Sequence, residues 1–156
     1  MGSSSSLLTT VELDVYISYA NKTEYIERTI ETLQNMNFKI MNSSVMIQSR
    51  KDLSISEISN YMEIFIEKTK YIFVCISKDT IRSISQIMEL NEIMNKFPTI
   101  QNKIIYFMMD SDYTPITNFE LNGVIKQNVW YPMYDEDTLL CTTNTILTLL
   151  MDTNSE

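Results

Sequence analysis

YIFVCIS (Tyr71–Ser77) is a dense apolar run, and it is followed by the polar turn KDTIR (Lys78–Arg82) and by SISQIMELNEIMNK (Ser83–Lys96). The run is too short for a typical isolated helix and is rich in aromatic and β-branched residues. That combination predicts a strand buried on both faces, as in a parallel sheet. Beyond Ser83 the apolar residues return at helical spacing, with Ile84, Ile87, Met88, Met94 and Phe97 on one side. Ser83 and Gln86, three residues apart, have the spacing of a capping box. The centre of the chain therefore reads strand, turn, helix, with the carboxylate Glu89 about two turns into the helix. On the helical wheel Glu89 groups with Ser85, Glu92 and Lys96, a polar face expected to be solvated.

Working outward, the flanking segments repeat this alternation. DVYISYA (Asp14–Ala20) continues the period-two pattern of Val11, Leu13, Val15 and Ile17 and reads as the first strand. Asn21 with Glu24 signals a helix start, and the helix runs to about Asn35. Asn37 stands where a helix stop wants a left-handed residue. FKIMN (Phe38–Asn42) is a short second strand near an edge. Ser43–Leu53 is irregular, and Ser54 with Glu57 then caps a helix to Lys68. KIIYFMM (Lys103–Met109) is the fourth strand. A long connection holds Pro115 and Gly123, NVWY (Asn128–Tyr131) is the fifth strand, and Asp135 caps a last helix to about Met151. Leu139, Leu140, Ile146, Leu149 and Leu150 are its expected buried side, over Trp130 and Tyr134. This order predicts an α/β fold, a flavodoxin-like open five-stranded parallel sheet of order 2-1-3-4-5 with helices on both faces. Ligands of such sheets bind beyond the carboxyl ends of the strands. That edge collects the loops after Tyr19, Asn42, Ser77 and Met109.

The 156 residues suit one domain, placed at 11–151, with a leader at 1–10 and a tail at 152–156. The leader formally matches an N-myristoylation pattern at Gly2, although a plain polar tail or an expression remnant explains it as well. The net charge of −8 repels phosphate backbones, so nucleic acid is not an expected partner. No apolar run approaches a membrane span. Cys75 and Cys141 are expected as buried thiols of a cytoplasmic protein. The absence of histidine removes the usual general base and most zinc arrangements.

DVYISYA, the loop Ser43–Ser56, EKTKYIFVCIS and the Glu89-Leu90 pair resemble, in order, the motifs of Toll/interleukin-1 receptor (TIR) domains. The resemblance extends from about Asp14 to Leu150 and includes DSDYTP (Asp110–Pro115) and NVWYPMYDEDT. Ser85 and Gln86 occupy the places that in TIR enzymes hold an aromatic residue and a cysteine. The BB loop, Ser43–Leu53, lacks the family's glycine. TIR enzymes cleave the nicotinamide–ribose bond of NAD+, so the resemblance implies an NAD+ glycohydrolase, or a cyclase, that is active on self-assembly. It implies Glu89 as the catalytic carboxylate and Tyr19, Ala20, Asn21, Ser77 and Lys78 as the substrate-binding wall. NAD+ is then the substrate, with no separate cofactor and no metal. The alternative is a TIR–TIR interaction module, an adaptor or decoy without chemistry. A receiver-like domain fits less well, because receivers need acidic residues where this chain has Ser18-Tyr19 and Ser77.

Overall fold

The structure is a computed structural model that describes residues 13–42, 54–96, 99–111 and 130–154. The leader, the Ser43–Leu53 loop, Phe97, Pro115 and Gly123 lie outside the described residues. Five strands form one sheet: β1 (Val15–Ser18), β2 (Ile40–Met41), β3 (Tyr71–Ile76), β4 (Ile104–Met108) and β5 (Trp130–Pro132). Their order is 2-1-3-4-5 and each neighbouring pair is parallel. Among the described residues four α-helices accompany them: α1 (Glu24–Asn35), α2 (Ile55–Lys68), α3 (Ile84–Asn95) and, after β5, α4 (Glu136–Asn154). The expected fold class is the one observed.

Helices cover both faces. Met62, Phe65 and Ile66 of α2 and Leu90 and Ile93 of α3 pack with Tyr16, Ile72 and Val74 on one face. On the other, Ile26, Ile30 and Leu33 of α1 and Leu139, Ile146 and Leu150 of α4 pack with Val15, Ile17 and Phe73. Strand side chains alternate between faces, so β1 sends Tyr16 and Ser18 toward α2 and α3, and Val15 and Ile17 toward α1 and α4. β3 is buried on both sides, which is why it carries no polar alternation.

Several local signals act as their chemistry requires. Ser54 and Glu57 make a reciprocal capping box at the start of α2. Asn37 takes a φ of 70°, and the amides of Asn37 and Phe38 return to the carbonyls of Gln34 and Leu33, a Schellman stop for α1. Asp14 accepts from the Lys39 amide at 2.8 Å and pairs with Lys70 at 3.3 Å, tying the start of β1 to the entries of β2 and β3.

Other expectations need correction. The cap of α1 is Thr23, whose hydroxyl accepts from the Ile26 amide, and not Asn21. Ile84 lies on the outside of α3 and is 78% exposed, while the buried residues of that helix are Gln86, Glu89, Leu90 and Ile93. The inner stripe starts with two polar residues, so a search for apolar spacing rotates the helix away from its true orientation. Leu140, next to the buried Leu139, points outward, and Cys141 is exposed rather than buried. Trp130 stacks near Tyr106, with ring centroids 5.2 Å apart, on the α2–α3 face. It does not sit beneath α4, because its neighbour Tyr131 takes the α4 side of the strand.

Candidate active site

Glu89 is 1% exposed, which overturns its expected place on a solvated face. The register of β1 explains what receives it. Tyr16 and Ser18, two residues apart, point to the same side of the strand and both are wholly buried. The Tyr16 phenol donates to Oε2 of Glu89 at 2.5 Å, and the Ser18 hydroxyl donates to Oε1 at 3.0 Å. Taking a carboxylate out of water costs several kcal/mol. A hydrogen bond to an ionised acceptor returns about 1.5–3 kcal/mol, so each hydroxyl carries a material share of the compensation. The charge is felt nearby. Burial raises the Cys75 thiol pKa well above its usual range, and the Glu89 charge adds to the shift. Tyr19 is also raised, by burial first and then by Glu89, against the lowering effect of an Asn42 hydrogen bond.

The remaining expected site residues ring the carboxyl edge of the sheet. Tyr19 follows β1 and is half-buried, and its phenolic oxygen accepts from Asn42 Nδ2 at 3.0 Å, beyond β2. Ala20 is half-buried and Asn21 exposed. Asn21 Nδ2 donates to Asp79 Oδ2 at 2.6 Å, joining the loops after β1 and β3. Ser77 is half-buried; its amide donates to Thr80 Oγ1 and its own Oγ accepts from the Asp79 amide. The Lys78 amide donates to Asp110 Oδ2 at 2.7 Å, joining the loops after β3 and β4. Glu89 therefore lies beneath a rim in which the loops after β1, β3 and β4 are tied to one another.

Three contributors were not singled out by sequence: Tyr16, Ser18 and Gln86. The signal for the first two was present. A strand buried on both faces that carries two hydroxyls at i and i+2 needs a buried acceptor opposite them. In the sequence Gln86 reads as a capping partner of Ser83 and, with Ser85, as the occupant of the family's aromatic and cysteine places, not as a buried polar group. Its backbone amide does donate to Ser83 Oγ at 3.1 Å, but its side chain turns inward, and Nε2 donates to the Cys75 carbonyl at 2.8 Å. The clefts beside α1, lined by Lys22, Glu27 and Asn42 in one case and by Arg28 and Glu136 in the other, do not include Glu89.

Chemically, the arrangement fixes a buried carboxylate near the carboxyl ends of the strands, the end at which open parallel sheets bind ligands. Such a group can accept hydrogen bonds from hydroxyls and stabilise a positive charge developing beside it. Among the described residues there is no cluster of three metal-ligating side chains, and no helix is long and apolar enough to cross a membrane. In comparisons with known proteins, no family model and no curated protein matches the chain.

Proposed function

We propose that this chain is a cytoplasmic NAD+ glycohydrolase of the TIR type, with Glu89 as its catalytic carboxylate and self-association required for full activity. The observation that carries the reading is the Glu89 carboxylate itself, buried and held on both oxygens by hydroxyls of β1. Few structural needs call for an acid on the inner stripe of a helix, since buried charge is weak evidence for stability. A buried, hydrogen-bonded carboxylate near the carboxyl edge of such a sheet is a functional candidate.

The chemistry asks little beyond this. In NAD+ the leaving group is a cationic pyridinium, so no acid is needed to expel it. The bond from C1′ to the nicotinamide nitrogen breaks and its electron pair neutralises the pyridinium. The ribose becomes oxocarbenium-like, and Glu89 opposes that charge while accepting a ribose hydroxyl proton in a hydrogen bond. Water then bonds to C1′ and releases a proton, giving nicotinamide and ADP-ribose. If a base nitrogen or hydroxyl of the same ligand attacks instead, the product is cyclic. Tyr19, Ala20 and Asn21 would line one side of the ligand and Ser77 and Lys78 the other.

Incubation of the folded protein with NAD+, followed by measurement of nicotinamide, tests the proposal; wild-type release slowed by roughly 10²–10³ in Glu89→Gln is the expected result. The alternative, a TIR–TIR interaction module, draws on Ile81, just before α3, and Ile84, its first residue, which are 54% and 78% exposed. No nicotinamide release at any protein concentration would favour it.

A further inference from the structure

Among the described residues, Gln86 Oε1 is a buried side-chain oxygen with no hydrogen-bond partner, in a residue that is 0% exposed. The orientation of its amide is fixed by chemistry. Nε2 donates to the Cys75 carbonyl, which can only accept, so the remaining atom must be the carbonyl oxygen. The capping role does not account for it, because the Ser83 amide is already bonded to the Thr80 carbonyl. The contact with Cys75 uses the nitrogen alone. An acceptor left without a donor in the interior costs folding free energy, and such atoms in native proteins call for an explanation.

Its position suggests one. Gln86 and Glu89 are three residues apart on the inner stripe of α3, which makes them neighbours, with Cβ atoms about 5–6 Å apart in a regular helix. Ser18, which holds Glu89, is in register with Val74, and Gln86 reaches the next residue, Cys75. The amide therefore lies one strand position closer to the carboxyl edge than the contact between Ser18 and Glu89. A ligand that reached the carboxylate from that edge would meet Gln86 first.

We propose that Gln86 Oε1 and the Glu89 carboxylate form a two-acceptor clamp for a vicinal diol of a ribose. Each hydroxyl donates to one acceptor. Gln86 is then a further substrate-binding residue, the second acceptor beside Glu89, which selects ribose over deoxyribose and adds no second negative charge. A site built to receive a hydroxyl discriminates sharply against ligands that lack it, because its own polar group is left unpaired. The identity of the diol as that of the nicotinamide ribose rests on the glycohydrolase reading above; the clamp itself does not require cleavage.

The test uses a carbocyclic NAD+ analogue, in which a methylene replaces the ring oxygen of the nicotinamide ribose. It cannot form an oxocarbenium and stays intact, yet it keeps the diol. Calorimetry compares it with the same analogue lacking both hydroxyls of that ring. Wild type should prefer the diol by well over tenfold, and Gln86→Met should lose about tenfold of that preference, the size of one net hydrogen bond. Gln86→Glu retains an acceptor at the same reach and should keep the preference, which also serves if the methionine variant does not fold. Binding of both analogues with equal affinity, binding of neither at millimolar concentration, or an undiminished preference in Gln86→Met overturns the clamp. Loss of the preference in a folded Gln86→Glu does so too. Nicotinamide release is measured separately. Diol preference without release keeps the clamp and removes the glycohydrolase reading, whereas release without diol preference does the reverse.

Discussion

Tyr16, at the centre of β1, places its phenolic hydroxyl 2.5 Å from Oε2 of Glu89 on α3, across 73 positions of chain. This contact joins strand and helix through a polar bond inside a face packed mostly by apolar side chains.

Removing that donor has a direct consequence. Tyr16→Phe keeps the ring and deletes the hydroxyl, so it should lower stability by about 1.5–3 kcal/mol, as for a hydrogen bond to a charged group. Nicotinamide release should slow by roughly tenfold or more, since a small misplacement of a catalytic group is costly. Ser18→Ala should act in the same direction. Urea midpoints and initial rates measure both effects, and a Tyr16→Phe protein as stable as wild type would mean that the hydroxyl does not compensate the charge.

Glu89→Gln and Glu89→Ala should separate in stability but not in rate. Glutamine retains a carbonyl for the hydroxyls and removes the buried charge. Alanine leaves a cavity and strands two donors, so it should be less stable than the glutamine variant by about 1–3 kcal/mol. Both should cut the rate by roughly 10²–10³, the usual loss when one preorganised electrostatic group is removed. Glu92→Ala, on the same helix but bonded to Ser59, is the control and should leave the rate unchanged.

Alkaline pH should destabilise the fold through its buried phenols. Burial raises the Tyr106 pKa from 10.0 to about 12, and Tyr19 is raised as well. Above its ordinary pKa the unfolded chain has released the proton that the native state still holds. The contribution of these phenols is therefore complete below pH 10 and declines as pH rises toward 12. Melting temperatures should fall across that window in wild type and less steeply in Tyr106→Phe. A decline of equal steepness in the variant would assign it to other groups.

Self-association gives the last prediction. Turnover per molecule should rise between nanomolar and micromolar protein if neighbouring copies complete the site. A turnover that stays constant over that range would mean that one copy is sufficient.

The sheet was legible in the sequence because its signals are redundant. The apolar runs of β3 and β4, the Ser54–Glu57 box and the Asn37 stop each point to the same architecture. The site was legible in part. Glu89 was located by its resemblance to a family motif, while periodicity placed it on the wrong side of its own helix. The inner stripe of α3 reads Gln86, Glu89, Leu90, Ile93, and a pattern search that equates inside with apolar rejects its first two members. Their burial depends on partners distant in sequence, Tyr16 and Ser18 for Glu89 and the Cys75 carbonyl for Gln86. Local spacing contains no record of those partners. Cys141 and Leu140 were misplaced for the opposite reason: apolar residues on the outer face of α4 look the same as buried ones until the helix is oriented.

The all-parallel pairing also imposes a schedule on folding. Among the described strands no neighbours are joined by a hairpin, so Val15 waits for Tyr71 before the central ladder can begin. During synthesis β1 leaves the ribosome long before the partner that shields it, and β4 and β5 can add only afterwards. Non-local pairing of this kind folds slowly and exposes sticky intermediates. The hydroxyls of Tyr16 and Ser18 can remain bonded to water during that wait, until α3 brings Glu89 to replace it.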